Sequence, residues 1–179
     1  MTSTPVTEIR SFTELDSVRG DLLDVYAVVR APLLHLANYA ISSFGERLDR
    51  HGSEAGFEAV LAYEGEHPVG YAYGNSIEDG DRYWQRTSPA PSKKYTTQPA
   101  LALKEIGVSP HWRGTGVARR IHDTLLAARD ERYVTLMVNE AAGEGKVHAL
   151  YQTWGYEGIG YSQPSPASPR LTVMIRPTG

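Results

Sequence analysis

The sequence predicts a single α/β domain of the α+β kind over residues 1–179, with a mixed, twisted sheet of about seven strands flanked by helices. Strand-like and helix-like apolar patterns alternate along the chain. An apolar run at Leu101–Val108 leads through a glycine-rich turn into a helical pattern at Gly114–Arg129. The length of 179 residues is typical of one domain, and the sequence shows no repeat, linker or second domain.

The first half of the chain reads as one strand, two helices and a hairpin. Pro32 separates the two helical patterns, and Glu64–Glu66 forms the turn between the two hairpin strands. The predicted elements are a strand at Val6–Ile9, a helix at Phe12–Val29 with Thr13 as candidate N-cap, a helix at Leu33–Leu48, and strands at Phe57–Tyr63 and Pro68–Tyr73.

The second half alternates strands and helices after a long segment at Asn75–Ala100. Gly155 is expected to end the last helix. The predicted elements are a strand at Leu101–Val108, a helix at Gly114–Arg129, a strand at Tyr133–Val138, a short helix from Gly145 or Lys146 to Trp154, and strands at Glu157–Tyr161 and Leu171–Ile175.

Composition narrows the function classes. The formal net charge of −3 argues mildly against a nucleic-acid partner. No apolar run is long enough to span a bilayer, and Met1–Arg10 lacks an apolar signal core, so we expect a cytoplasmic protein without a membrane partner. The chain has no cysteine, which removes thiolate metal sites and a cysteine acyl-enzyme. The six histidines are scattered and predict no metal site.

The turn that follows Val108 has the features of an anion site. A strand, a glycine-rich turn and a helix follow one another, and the first N–H groups of a helix have no intrahelical partner. Gly114 and Gly116 let the backbone approach a phosphate closely, and Arg113 adds a fork of donors suited to it. No Gly-Lys-Ser/Thr follows, and Arg119 stands where a dinucleotide fingerprint needs its third glycine.

The stretch Ile106–Ala118 instead resembles the Arg/Gln-x-x-Gly-x-Gly/Ala motif of the GNAT superfamily of N-acetyltransferases, and the layout is similar to that of actinobacterial members. The resemblance implies acetyl-CoA as co-substrate and a sheet that is splayed at the coenzyme strand. It also implies that the backbone of Ile106 and Val108 contacts the pantetheine arm. The residues that it assigns to the coenzyme pyrophosphate are Arg113, Gly114, Thr115, Gly116, Val117 and Ala118.

A second motif, at Ala149–Tyr156, is similar to a family pattern whose tyrosine meets the coenzyme sulfur. The resemblance makes Tyr151 the acid that protonates the leaving thiolate, whereas a helical tyrosine alone is more often a packing residue. Family members often carry Asn seven residues before this tyrosine. Glu144 stands there in this chain, and Asn139 is the candidate substitute for the coenzyme contact.

Glu105 is the candidate base that takes a proton from the acceptor amine. Strand alternation places it on the same face as Leu101 and Leu103. Desolvation makes a carboxyl group more basic, which suits proton transfer near neutral pH. The alternatives are a structural ion pair with a neighbouring Arg or Lys, or loss of the amine proton to water.

The acceptor side is less defined. The candidate contacts for a small-molecule amine are Tyr39 on the helical pair and the aromatic residues Tyr83 and Trp84. The last two follow the carboxylates of Glu78–Asp81 in the long segment Asn75–Ala100, for which a solvated loop is the alternative. Core packing is favoured for Tyr26.

These residues predict direct acetyl transfer to a primary amine in a ternary complex. Transfer of a longer acyl group, transfer to a protein amine, or a coenzyme-binding module without turnover are alternatives. Members of this family often pair, and the last predicted strand is a candidate homodimer interface.

Overall fold

The computed structural model describes residues 7–179 and contains a mixed seven-stranded sheet flanked by helices. Its strand order is β1-β2-β3-β4-β5-β7-β6. The strands are β1 Glu8–Phe12, β2 Glu58–Glu64, β3 His67–Ile77, β4 Ala100–Val108, β5 Tyr133–Val138, β6 Glu157–Ser162 and β7 Leu171–Pro177. The helices are α1 Arg19–Val29, α2 Ile41–Gly52, α3 Arg82–Gln85, α4 Lys93–Thr96, α5 Val117–Ala127 and α6 Lys146–Thr153.

The chain divides into two compact units. The first holds the chain up to Asn75 together with Lys104–Ala128, and the second holds Ser76–Leu103 together with Arg129–Gly179. In the second unit β4 pairs with β5 in parallel, with Leu101 opposite Val134. These pairs lie near the amino ends of both strands, and the predicted splay of their later residues stays a prediction, as does a single domain over 1–179.

The first unit has helices against opposite faces of β3. Tyr71 and Tyr73 belong to a buried cluster that includes side chains of α1 and α2. Gly70, which directly precedes Tyr71, faces α5, where a Cβ would lie 2.8 Å from Ile121 Cδ1. Because a larger residue would collide there, glycine at position 70 lets α5 pack directly on the strand.

The second unit has its own apolar cluster, formed from β4, β7 and the segment that follows β3. Tyr83 and Trp84 are buried in it, and their rings meet edge to face at 5.3 Å. The Tyr83 hydroxyl lies 3.0 Å from Thr135 Oγ1 on β5. The long segment before β4 is therefore an ordered part of the core, with the short helices α3 and α4, rather than a solvated loop.

The amino-terminal elements differ from the sequence-based prediction. Val6 lies outside the described residues, and β1 extends to Phe12, which pairs with Ala59 of β2. The helix predicted from Phe12 begins only at Arg19, so Thr13 is not its N-cap. At Phe12, pairing with β2 outweighs the helical spacing, and Leu15–Ser17 form a separate 3₁₀ turn before α1.

The second predicted helix is also shorter than expected. Residues 31–33 and 37–39 form separate 3₁₀ turns, and α2 begins at Ile41 rather than Leu33. The hairpin of β2 and β3 is confirmed, with Glu64 opposite His67. Gly65 takes a φ of +61° in that turn, a conformation in which a side chain is strained.

Candidate acetyl-CoA and amine site

The glycine turn joins β4 to α5 in the conformation that an anion site requires. Gly114 and Gly116 have φ values of +74° and +87°, and a Cβ added to either would meet no atom within 4 Å. The space above both glycines is therefore open to a ligand. The Ser109 N–H donates to Val69 O of β3 at 2.8 Å, which fixes where the turn begins.

Backbone N–H groups at the start of α5 complete this turn. The first intrahelical bond of the helix runs from Arg120 N to Gly116 O at 3.1 Å, so the preceding N–H groups lie at the positive end of the helix dipole. Val117 is buried and Ala118 is half-buried. The Thr115 hydroxyl donates to Trp112 O and closes the turn.

Three arginines near the turn differ in the partners that their guanidinium groups already bind. Arg113 is exposed, and no carboxylate pairs with its guanidinium within residues 7–179. Arg119 binds Asp123 at 3.0 Å, and Arg120 donates to Thr7 Oγ1 at 2.9 Å. Arg113 is thus the cation of this group that is available to a phosphate.

Glu105 lies on β4 inside a polar cluster with Arg30, which follows α1, and Tyr71 of β3. The Tyr71 hydroxyl donates to Glu105 Oε1 at 2.8 Å, and Arg30 Nη2 lies 3.6 Å from the same oxygen. Arg30 Nη2 also donates to Ile106 O at 3.3 Å. The alternative of an ion pair for Glu105 is therefore present in the structure, and the pair leaves the carboxylate 20% exposed.

The electrostatics of this cluster keep Tyr71 and Arg30 in fixed protonation states. Burial, and then the negative charge of Glu105, raise the pKa of Tyr71 well above its ordinary value. Burial alone would lower the pKa of Arg30, but Tyr71 and Glu105 raise it above its ordinary range. Tyr71 thus stays a hydrogen-bond donor and Arg30 stays a cation at every physiological pH.

Tyr39 lies close to this cluster and is 37% exposed. Its backbone oxygen accepts a bond at 2.8 Å from the hydroxyl of Tyr26, whose own backbone oxygen accepts the Arg30 N–H. The interpretation of Tyr26 as a core residue is confirmed, because the side chain is fully buried and stacks on Phe44 with ring centroids 3.8 Å apart.

A second left-handed turn precedes α6 in the other unit. Gly143, Glu144 and Gly145 have φ values of +58°, +59° and +88°. Asn139 Oδ1 accepts the N–H of Ala141 at 3.0 Å, so its side chain already stabilises the start of this segment. The coenzyme contact expected of Asn139 stays a prediction.

Tyr151 lies on α6 and is 8% exposed. Its ring meets those of Trp154 and Tyr156 edge to face, with centroids 5.7 Å and 5.8 Å away. This aromatic setting holds the ring in one orientation, which both a packing residue and a positioned proton donor require.

The other two predicted acceptor contacts are core residues of the second unit. Tyr83 and Trp84 are 8% and 4% exposed, which leaves little of either ring for a ligand. The neighbouring carboxylates are partly engaged, because Asp81 accepts the Tyr83 N–H at 2.9 Å and Asp79 lies 3.9 Å from Lys93 Nζ. A direct acceptor contact from this segment stays a prediction.

Sequence reasoning missed Arg30 and Tyr71 as members of the cluster. Arg30 directly follows α1, and Tyr71 stands in a strand that is buried continuously from Val69 to Asn75, so neither carries a local motif. The only signal available was the expectation that a cation neighbours Glu105.

Over residues 7–179, no three His, Asp or Glu side chains gather closely enough to hold a metal ion. No helix in that range combines the length and the apolar character needed to cross a membrane.

Comparison with known proteins agrees with this geometry. The sequence model of the Acetyltransferase (GNAT) family matches residues 24–156. The chain therefore belongs to the GNAT acetyltransferase family, whose members use acetyl-CoA. A search of curated proteins finds no match by sequence.

Solved structures share the fold at low sequence identity. An acetyltransferase from Thermus thermophilus is 17% identical with a TM-score of 0.65, covering 97% of this chain and 99% of its own. The ribosomal-protein-S18-alanine N-acetyltransferase from Escherichia coli is 14% identical with a TM-score of 0.64, covering 97% and 95%. An aminoglycoside 6'-N-acetyltransferase complexed with coenzyme A is 15% identical with a TM-score of 0.61, covering 96% and 97%.

Proposed function

We propose that this protein transfers the acetyl group of acetyl-CoA directly to a primary amine of a small molecule. The observation that carries the proposal is the turn at Gly114–Gly116, with two left-handed glycines, open space above them and the start of α5 behind them. Family membership and the amine acceptors named for two of the structural neighbours support it.

In the proposed complex, the pyrophosphate lies on the N–H groups at the start of α5 and pairs with Arg113. The pantetheine arm runs along β4, where Ile106 and Val108 present backbone groups. Because Ile106 O already accepts from Arg30, we assign the arm to the remaining lone pair of that oxygen and to the Val108 backbone.

The proposed reaction forms a C–N bond and breaks a C–S bond. The amine nitrogen attacks the thioester carbonyl carbon, and its proton passes to the Glu105 carboxylate. The thiolate that leaves takes a proton from the Tyr151 hydroxyl. A positioned acid or base typically contributes 10²–10⁴-fold to such a proton transfer.

The test is thiol release from acetyl-CoA with a panel of primary amines. We expect the double variant Tyr151→Phe, Glu105→Gln to lower kcat at least about 100-fold. The matched control Tyr161→Phe, Glu157→Gln changes an exposed tyrosine and an exposed glutamate of β6, and should act like the parent. Unchanged thiol release in the first variant for every amine would contradict these roles.

The cytoplasmic location and the homodimer stay predictions from sequence.

A further inference from the structure

The segment that joins α1 to α2 exposes apolar side chains in an uncharged stretch. Residues 31–45 contain no Asp, Glu, Lys or Arg, which is fifteen consecutive residues in a chain with 22% charged residues. Leu36, Tyr39 and Ile41 are 44%, 37% and 42% exposed. We call these three side chains the apolar surface.

The backbone beneath the apolar surface is held in place by side chains of α1 and α2. The Tyr26 hydroxyl donates to Tyr39 O, the Ser43 hydroxyl to Ala37 O, and Arg47 Nη1 to Asn38 O, each at 2.8 Å. Three consecutive carbonyl groups are therefore held by side chains of the two helices. A surface that is already ordered loses little conformational entropy when a ligand binds to it.

The segment begins at Arg30, which links the apolar surface to Glu105. Tyr26, whose hydroxyl donates to Tyr39 O, accepts the Arg30 N–H on its own backbone oxygen at 2.9 Å, and Arg30 lies 3.6 Å from the Glu105 carboxylate. Arg30 and Glu105 together carry no net charge, and Arg47 adds a cation beneath the segment. The Arg30–Glu105 pair itself therefore offers no unbalanced negative charge for an acceptor with several ammonium groups.

We propose that the acceptor is a monoamine with an apolar body, an alkylamine or arylalkylamine, whose amine reaches Glu105 while its body lies on the apolar surface. This inference rests on the proposed function and specifies its acceptor class. The neutral amine is the reactive form, and the charge-balanced pair of Glu105 and Arg30 favours it over an ammonium ion with a second positive charge.

The test is a series of straight-chain amines from propylamine to hexylamine, measured as kcat/KM at saturating acetyl-CoA. Each buried methylene is worth about 0.8 kcal/mol, so kcat/KM should rise about three- to fourfold per carbon. The kcat/KM of hexylamine should exceed that of 1,6-diaminohexane at least about tenfold, because the diamine carries a second ammonium group. A flat series, or preference for the diamine, would overturn the inference.

Two variants place the effect on the apolar surface. Tyr39→Ala and Leu36→Ser should reduce the gain per methylene to about twofold or less, mainly through KM. Tyr161→Ala removes a tyrosine of similar exposure, 39%, from β6 and should leave the gain unchanged. Equal gains in all four proteins would overturn the assignment to this surface.

Failure of this inference is distinguishable from failure of the proposed function. If the parent binds acetyl-CoA in calorimetry and turns over amines without regard to apolar length, only the acceptor class is wrong. If the parent neither binds acetyl-CoA nor releases thiol with any amine, the proposed function fails and the acceptor assignment fails with it.

Discussion

The glycine turn and the Glu105 cluster, both in the first unit, differ in how they are built. The turn consists of backbone groups and open space, with φ values of +74° and +87° at its two glycines. The Glu105 cluster consists of side chains that already bind one another, with Tyr71 at 2.8 Å and Arg30 at 3.6 Å from one carboxylate oxygen.

This difference teaches how each region can be disrupted. The turn depends on an empty volume, so a substitution damages it by filling that volume. The cluster depends on mutual satisfaction of partly buried polar groups, so removal of any member leaves its partner without compensation. Added atoms should therefore abolish binding at the turn, whereas deleted atoms should lower the stability of the cluster.

The largest expected effect on stability comes from Arg30→Gln. It leaves the Glu105 carboxylate without its cation and Ile106 O without its donor. Because the pair is partly solvated, we expect a loss of about 2 kcal/mol in the free energy of unfolding. Thermal unfolding should then shift downward by several degrees.

Arg19→Gln is the matched control for that change. It breaks an ion pair between Arg19 and Asp49, at 2.8 Å, that is exposed on both sides, so we expect little change in the melting temperature. Similar losses in both variants would mean that the Glu105 cluster is no more interdependent than a surface ion pair.

The next effect is a pH dependence of the folding stability, which arises from His51. His51 Nδ1 lies 3.0 Å from the Tyr73 hydroxyl, and burial, with Lys104 and Arg50, lowers the pKa of His51 to about 3. The unfolded chain takes up this proton near pH 6.5, so folded stability is complete above that pH and falls as the pH drops toward 3.

Denaturant unfolding between pH 7.5 and 4.5 measures this dependence. His51 contributes a slope of at most about 1.4 kcal/mol per pH unit, and His51→Gln should remove that contribution. His35→Gln, at an exposed histidine of the joining segment, serves as control and should keep the parent slope. An unchanged slope in the His51 variant would show that His51 accepts a proton in the folded state.

The smallest effect tests the other left-handed turn, where a side chain occupies a conformation that favours glycine. Glu144 has a φ of +59°, and Glu144→Gly should stabilise the fold by about 1 kcal/mol, or 2–4 °C in melting temperature. Glu157→Gly, in strand β6, should instead destabilise it. A lower melting temperature for the first variant would indicate that the Glu144 side chain stabilises this turn.

The glycine turn was predictable from sequence because it is built from backbone groups and its requirements are local. Glycines at 114 and 116 between a strand and a helix need no distant partner, and the order of strands and helices followed from apolar periodicity. The start of α1 was not predictable in this way. Phe12 fits a helical spacing, but its pairing with Ala59 on β2 depends on residues far along the chain.

The partners of Glu105 in its cluster could not be predicted, because they are distant from it in sequence. Arg30 and Tyr71 are separated from Glu105 by 75 and 34 residues, and only the folded sheet brings them together. Tyr83 and Trp84 looked like loop residues because their segment is rich in polar and turn-forming residues. Their burial depends on packing with β4 and β7, which no local pattern reveals.

Calorimetric titration with acetyl-CoA tests the central claim most directly, with the parent compared with Gly116→Glu and Gly65→Glu. Both variants add the same charged side chain at a positive φ with no atom within 4 Å, but Gly65 lies in the hairpin of β2 and β3. We predict one saturable site in the parent and in Gly65→Glu, and affinity lowered at least about 100-fold in Gly116→Glu. No binding to the parent, or equal binding to all three proteins, would contradict the assignment of the glycine turn as the coenzyme site.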